Sequence, residues 1–266
     1  VTDSAYIDYL IELCAAQRIG MIVPTIDTEL VVLAKDRRSF VDAGVQAVIS
    51  DLSLIKACRD KRLTSELFVE LDIGTPKIYD KQTLLFPCFC KPYDGSRSIG
   101  AKIIQNPDML TNELLEDKKN IFMELIGGEY IEYTMDAYFT QNSILRCLVP
   151  RERIEVRSGE VSKGITRKNR VYYYFIEKLQ KLEGAKGCLT VQAFFNPITE
   201  DIKAIEINPR FGGGYPLTHA AGADYPGWLI REYFLGNSIE FSEAWENNLM
   251  MLRYDAKVMV RENDRF

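Results

Sequence analysis

Glu206 and Asn208 stand two residues apart in the run Ala204-Ile205-Glu206-Ile207-Asn208-Pro209-Arg210-Phe211-Gly212-Gly213-Gly214. The apolar residues around them predict a strand, on which positions i and i+2 project from one face. A carboxylate and an amide oxygen held side by side suit a hard, oxygen-preferring cation such as Mg²⁺. Gln192, in Thr190-Val191-Gln192-Ala193-Phe194, interrupts a strongly apolar run on the preceding antiparallel strand and can bring a third oxygen beside them. Arg210 opens the following loop, where a guanidinium can pair with a phosphate. The three glycines after Phe211 offer bare backbone N–H groups to an anion. The competing reading is a hairpin whose polar positions simply face solvent.

Two further groups point to nucleotide chemistry. Lys91 ends the apolar run Phe86-Pro87-Cys88-Phe89-Cys90 and precedes Asp94-Gly95-Ser96-Arg97-Ser98-Ile99-Gly100. A lysine in that position can present its ammonium to phosphates, while a Gly/Ser loop supplies amides with little bulk. The order G-x-x-x-x-G-K-[ST] is absent, so this is not a Walker A loop. Phe122-Met123-Glu124-Leu125-Ile126 is an apolar strand whose free backbone edge can bond an adenine rim. The acids of Glu132-Tyr133-Thr134-Met135-Asp136 lie close enough in sequence to take ribose hydroxyls. A core strand with exposed acids is the alternative for this segment.

The elements that must hold these groups follow from periodicity. Helical spacing over 4–18, a short strand at 21–23, a helix over 28–43, a strand at 45–49 and a helix from Asp51 through Cys58 alternate as in a parallel sheet with crossover helices. The strand that normally precedes the first such helix is missing, which predicts a truncated N-terminal α/β domain. A further helix covers 60–71. The character then becomes α+β: strands at 86–92 and 101–104 form a hairpin with a flexible tip, and 107–115 is helical. Strands are predicted at 121–126, 130–139 and 143–149, a helix at 172–182, strands at 187–195 and 202–207, and a last helix at about 224–235. The domain boundary falls near residue 60.

Composition narrows the class. The chain has 266 residues, 33 basic and 38 acidic, for a formal charge of −5. No lysine- or arginine-rich run marks a nucleic-acid footprint, and no apolar stretch reaches the ~18–20 residues of a membrane span. The start, Val1-Thr2-Asp3-Ser4, lacks the features of a signal peptide. Six cysteines read as buried free thiols of a cytoplasmic protein rather than a disulfide framework, and Cys88-x-Cys90 without a second cluster is weak as a metal motif. His219 is the only histidine, equally consistent with a structural role and a substrate contact.

In this order and spacing, the three groups resemble the ATP-grasp superfamily, most nearly the synthetase domains of the carbamoyl-phosphate synthetase large subunit and their stand-alone relatives. The resemblance covers nearly the whole chain. Residues 1–80 resemble the end of a preceding α/β domain plus a linking helix, 86–104 the phosphate-gripping hairpin, and 121–236 the catalytic half. It implies an ATP-grasp fold at 61–266 behind a truncated, Rossmann-like pre-ATP-grasp domain at 1–60. Within the fold, 61–120 would be the small lid-bearing subdomain and 121–266 the catalytic one.

The resemblance also implies roles. Lys91 would contact the α- and β-phosphates, and Lys61 would stand where a second basic residue reaches the nucleotide. Gly95, Ser96 and Ser98 would close over the phosphates. Glu124, Leu125 and Ile126 would form the adenine hinge and Glu132 would hold the ribose, with Glu129 as its rival. Gln192, Glu206 and Asn208 would ligate one or two Mg²⁺ ions, for which Mn²⁺ can substitute. Arg210 would stabilise an acyl phosphate, and Val156-Arg157-Ser158-Gly159-Glu160 would be a substrate-side loop. The implied activity is an ADP-forming ligase joining a small-molecule carboxylate to an amine or a thiol, compatible with a homodimer. Gly212-Gly213-Gly214-Tyr215 departs from the family's loop, which leaves the substrate open. ATP-dependent carboxylation or phosphorylation of a small molecule, and a non-catalytic ATP-binding module, are the alternatives.

Overall fold

The structure, a computed structural model, describes residues 1–95, 99–157 and 159–260. It opens with α1 (Tyr6–Gln17), β1 (Met21–Ile22), α2 (Asp27–Lys35), α3 (Arg37–Asp42), β2 (Gln46–Ala47) and α4 (Leu52–Arg59). β1 and β2 pair in parallel, Met21 opposite Gln46 and Ile22 opposite Ala47, as a helical crossover between them requires. Cys14, Leu30, Leu33, Phe40, Val45, Ile49 and Ile55 form the core of this unit. The helix predicted over 28–43 is in fact two. Asp36, at φ −101° and ψ 17°, closes α2 by donating its N–H to Val32 O and starts α3 by accepting from Ser39 N. Beyond the break, Phe40 is fully buried.

The linking helix α5 (Lys61–Glu70) begins where the spacing predicts. The Asp60 carboxylate accepts from Arg62 N at 2.9 Å and caps it. Next come β3 (Ile78–Tyr79), β4 (Cys88–Pro92), β5 (Lys102–Ile104), α6 (Asn112–Glu116) and β6 (Asn120–Glu124). Their strands make a sheet of order β3-β6-β4-β5. Cys88 and Cys90 point into its core with Ile104 and Phe122, so Phe89 and Lys91 face the other way. All six cysteines are free. The helix predicted over 107–115 is a 3₁₀ turn at Pro107–Met109 followed by α6, which restarts at the Thr111 cap.

The remaining chain gives β7 (Ile131–Phe139), β8 (Leu145–Arg157), β9 (Glu160–Thr166), α7 (Arg170–Leu179), β10 (Gly187–Phe195), β11 (Ile202–Asn208), α8 (Tyr215–Ala220), α9 (Tyr225–Leu235) and β12 (Met250–Leu252). The six strands pair antiparallel in the order β11-β10-β7-β8-β9-β12. Tyr133, Met135 and Ala137 of β7 and Leu189, Val191 and Ala193 of β10 turn one face into the main core, joined by Val171, Tyr172, Phe175 and Leu179 of α7. No helix among the described residues is long and apolar enough to cross a membrane.

The sequence reading ended β8 at residue 149 and missed β9, because charged residues crowd the rest of that hairpin. In the fold these charges pair across strands: Arg153 with Glu132 at 3.1 Å and Lys163 with Glu155 at 2.6 Å. Deepest among them is Asp136, fully buried, with Arg151 Nη2 at 2.9 Å from Oδ2. Thr190 Oγ1 donates to Asp136 Oδ1 at 3.2 Å and Thr218 Oγ1 to Oδ2 at 2.6 Å. Removing one partner of a buried pair strands the other charge. Asp136→Ala should therefore cost about 3–5 kcal/mol, against about 1 kcal/mol for Thr218→Val. Urea denaturation checks the ordering, and similar losses for both variants would contradict it.

Candidate active site

A cleft of about 1210 Å³ opens between the two sheets and is closed on one side by the start of α2. Its floor is the polar face of the six-stranded sheet. Gln192 on β10 lies directly opposite Glu206 on β11, and Thr190 opposite Asn208. On its other edge, Gln192 faces Thr134 of β7, which in turn faces Arg151 of β8. Glu206, Gln192, Thr134 and Arg151 thus form one row across four strands, all four lining the cleft. Asn208 Nδ2 donates to Glu206 Oε1 at 2.9 Å, which ties the two side chains together.

The roof comes from the smaller sheet and the linking helix. Lys91 and Phe89 of β4 and Lys61 at the start of α5 all reach the cleft. Lys61 Nζ donates to Gly95 O, fastening the β4–β5 hairpin to the helix start. Ser96 and Ser98, predicted to close over phosphates, lie outside the described residues. At the far edge Glu124, Leu125 and Ile126 line the cleft where β6 ends. Glu124 N donates to Lys77 O at 2.8 Å, and its carboxylate is engaged by Lys203, while Leu125 and Ile126 carry no turn or loop backbone bond. Their backbone edge is therefore the part of this segment open to a ligand. Glu132 also lines the cleft; Glu129 is exposed and folds back against Gly127. His219 lies outside the cleft, 3.4 Å from Asp224.

Glu206 is the charge around which the others are arranged. Burial lowers the Lys91 pKa from 10.5 to about 8; neighbouring Lys61 pushes the same way and Glu206 opposes. Burial likewise lowers Lys61, again against Glu206. Burial raises Glu132, with Glu206 adding to the shift and Arg153 countering it. A cleft holding two partly desolvated ammonium groups is short of negative charge, the condition that favours a polyphosphate.

Four contributors escaped the sequence reading. Asp27, in the first turn of α2, holds Arg210 in a bidentate pair, with Nε at 2.8 Å and Nη2 at 2.7 Å from its two oxygens. Arg210 Nη1 donates to Phe211 O at 3.0 Å. The guanidinium predicted to meet an acyl phosphate is thus anchored from the N-terminal unit, 183 residues away in sequence. Arg151 and Arg153 were hidden beyond the predicted end of β8, although their i, i+2 spacing was a signal. Thr190, whose Oγ1 also contacts Arg210 O at 3.0 Å, looked like an ordinary strand residue.

Residues 58–214 match the family model of the ATP-grasp domain, and the chain belongs to the ATP-grasp family. More particularly, its residues 1–48 match the model of a PylC-like, N-terminal domain. No curated protein matches in sequence. Solved structures do match in fold. The biotin carboxylase domain of Hydrogenobacter thermophilus 2-oxoglutarate carboxylase, in complex with MgADP, ADP and bicarbonate, aligns with a TM-score of 0.72 at 17% identity, covering 91% of this chain and 60% of that one. Staphylococcus aureus N5-carboxyaminoimidazole synthetase with ADP aligns at 0.63 and 16% identity, over 80% of this chain and 59% of its own. An L-amino acid ligase from Bacillus licheniformis aligns at 0.59 and 13% identity, over 87% and 57%. The chain thus spans about 60% of the length of the first of these structures.

The charge arrangement makes a stability prediction. Lys91 titrates near 8 when folded and at 10.5 as its model value. Between those pH values the unfolded chain binds more protons, so this group makes stability rise with pH there. Below that window, keeping the buried ammonium costs on the order of 3 kcal/mol. Lys91→Met should raise the urea midpoint at pH 7 and flatten the rise between pH 8 and pH 10 relative to the parent. A midpoint below the parent's at pH 7 would refute the assignment.

Proposed function

We propose that the chain binds ATP with Mg²⁺ in this cleft and transfers the γ-phosphate to a carboxylate of a small metabolite, releasing ADP when an amine or thiol displaces the acyl phosphate. The observation that carries this reading is the row of Glu206, Gln192 and neighbouring Asn208 facing two desolvated lysines, Lys61 and Lys91, across one cleft. Nucleotide complexes of structurally similar proteins support it.

The donor set fits Mg²⁺. Glu206 supplies a carboxylate, and Gln192 and Asn208 supply amide oxygens, leaving positions for phosphate oxygens and water, as this ion prefers. Among the described residues no group of three His, Cys, Asp or Glu side chains forms a metal cage, which agrees with an ion shared with the nucleotide. Bound there, Mg²⁺ would supply charge neutralisation for phosphoryl transfer.

The protein's own groups account for the rest. Lys91 and Lys61 hold the phosphates and gain full protonation on meeting them. The open backbone at Leu125 and Ile126 takes the adenine rim, and Glu132 takes the ribose in place of part of its bond to Arg153. Arg210, held flat by Asp27, directs its remaining N–H groups towards the loop where the acyl phosphate would form, and the Gly212–Gly214 amides can meet the tetrahedral oxyanion. No nucleophilic side chain is needed.

The decisive measurement is ADP release by the chain with pools of carboxylates, amines and thiols, and separately with bicarbonate. Release should require a carboxylate together with a nucleophile. Glu206→Gln should reduce it about 100-fold or more while retaining nucleotide binding in a thermal-shift assay. Release that needs bicarbonate alone selects carboxylation, and ATP binding with turnover indifferent to Glu206→Gln selects a binding module.

A further inference from the structure

Arg151 is not used by the chemistry above, yet its side chain is only 2% exposed and it borders the cleft. Its Nη2 sits 2.9 Å from Asp136 Oδ2, but that oxygen is already met by Thr218 Oγ1. Nε and Nη2 of Arg151 have no hydrogen-bond partner among the described residues, and neither does Nε of adjacent Arg153. Buried guanidinium N–H groups without acceptors are rare. A side chain at Gly214 would collide with Arg151 Nη1, so the glycine is what lets the guanidinium lie against the loop. Gly214 itself has φ −90°, a conformation open to any residue, and so its type is not dictated by its backbone.

In the row described above, β7 and β10 separate Arg151 from Glu206. At about 4.8 Å per strand the two positions lie roughly 14 Å apart. The carboxylate that receives phosphate must sit by Glu206 and Arg210, and it cannot also reach Arg151. A planar, two-oxygen anion is what the fork of a guanidinium fits. We propose that Arg151 is a specificity-determining residue that binds a second, non-reacting carboxylate, so that the substrate is a small dicarboxylate or a dicarboxylic amino acid. This rests on the ligase reading for which carboxylate reacts, but not for the existence of the subsite.

Thermal unfolding of the full chain with Mg²⁺ and a non-hydrolysable ATP analogue tests it. The probes are four- to six-carbon diacids and acidic amino acids, each paired with its mono-amide: succinate with succinamate, glutarate with glutaramate, aspartate with asparagine, glutamate with glutamine. At least one diacid should protect at about 10-fold lower concentration than its amide. Arg151→Lys keeps a positive charge beside Asp136 but loses the fork, and should erase that preference. Gly214→Ala, which displaces the guanidinium without removing it, should do the same and covers the case in which Arg151→Lys does not fold. Equal protection by every diacid and its amide, or a preference surviving in a folded variant, overturns the proposal. Diacid preference without ADP release upholds the subsite and defeats the ligase reading. ADP release from monocarboxylates without diacid preference does the reverse.

Discussion

The register of β10 between β7 and β11 is the constraint on which the cleft depends. Side chains alternate along a strand with a period of two, so a one-residue slip would turn every cleft-facing group into the core. Two features prevent it. The core face presents Met135, Ala137, Val191, Ala193 and Ile207, all essentially inaccessible. The cleft face is pinned by Asp136, which gathers Arg151, Thr190 and Thr218 from three other segments. A slip would expose the first set and break the second at once. Opposed penalties of this kind specify a single arrangement more strongly than either alone.

Within that frame the charges are balanced around Glu206 rather than paired one to one. Lys61 and Lys91 are both attracted to it and both lose hydration, while Glu132 is repelled by it and drawn to Arg153. A bound polyanion relieves the two lysines, so a cost to the empty protein becomes affinity for the ligand. The pairing of Asp27 with Arg210 adds a mechanical link, because the carboxylate belongs to the N-terminal unit and the guanidinium to the loop after β11. The N-terminal unit thereby forms part of the cleft wall.

Some elements were plain in the sequence for local reasons. The strand at 187–195 agrees with β10 because its apolar run is long and bounded by turn residues. The helices at 60–71 and 224–235 agree closely with α5 and α9, whose caps at Asp60 and Asp224 are local hydrogen bonds. Other segments depended on distant partners. The end of β8 and all of β9 carry charges that read as loop until the facing strand neutralises them. α8 is a single buried stretch following glycines, and β12 is three residues held only at the sheet edge by β9.

The same division holds for the cleft. From sequence alone one could determine the donor types and their shared face, Glu206 with Asn208 and Gln192 on the strand before, because strand alternation and hairpin pairing are short-range. The lysine before a glycine loop and the adjacent apolar strand were legible for the same reason. Only the tertiary structure decided that Asp27 holds Arg210, that Lys61 fastens Gly95, that Glu132 rather than Glu129 faces the cleft, and that Arg151 is buried there with unmet N–H groups. Those relations join residues that are far apart in sequence or differ only in orientation. No local pattern encodes them, because they arise only when separate elements are packed against one another.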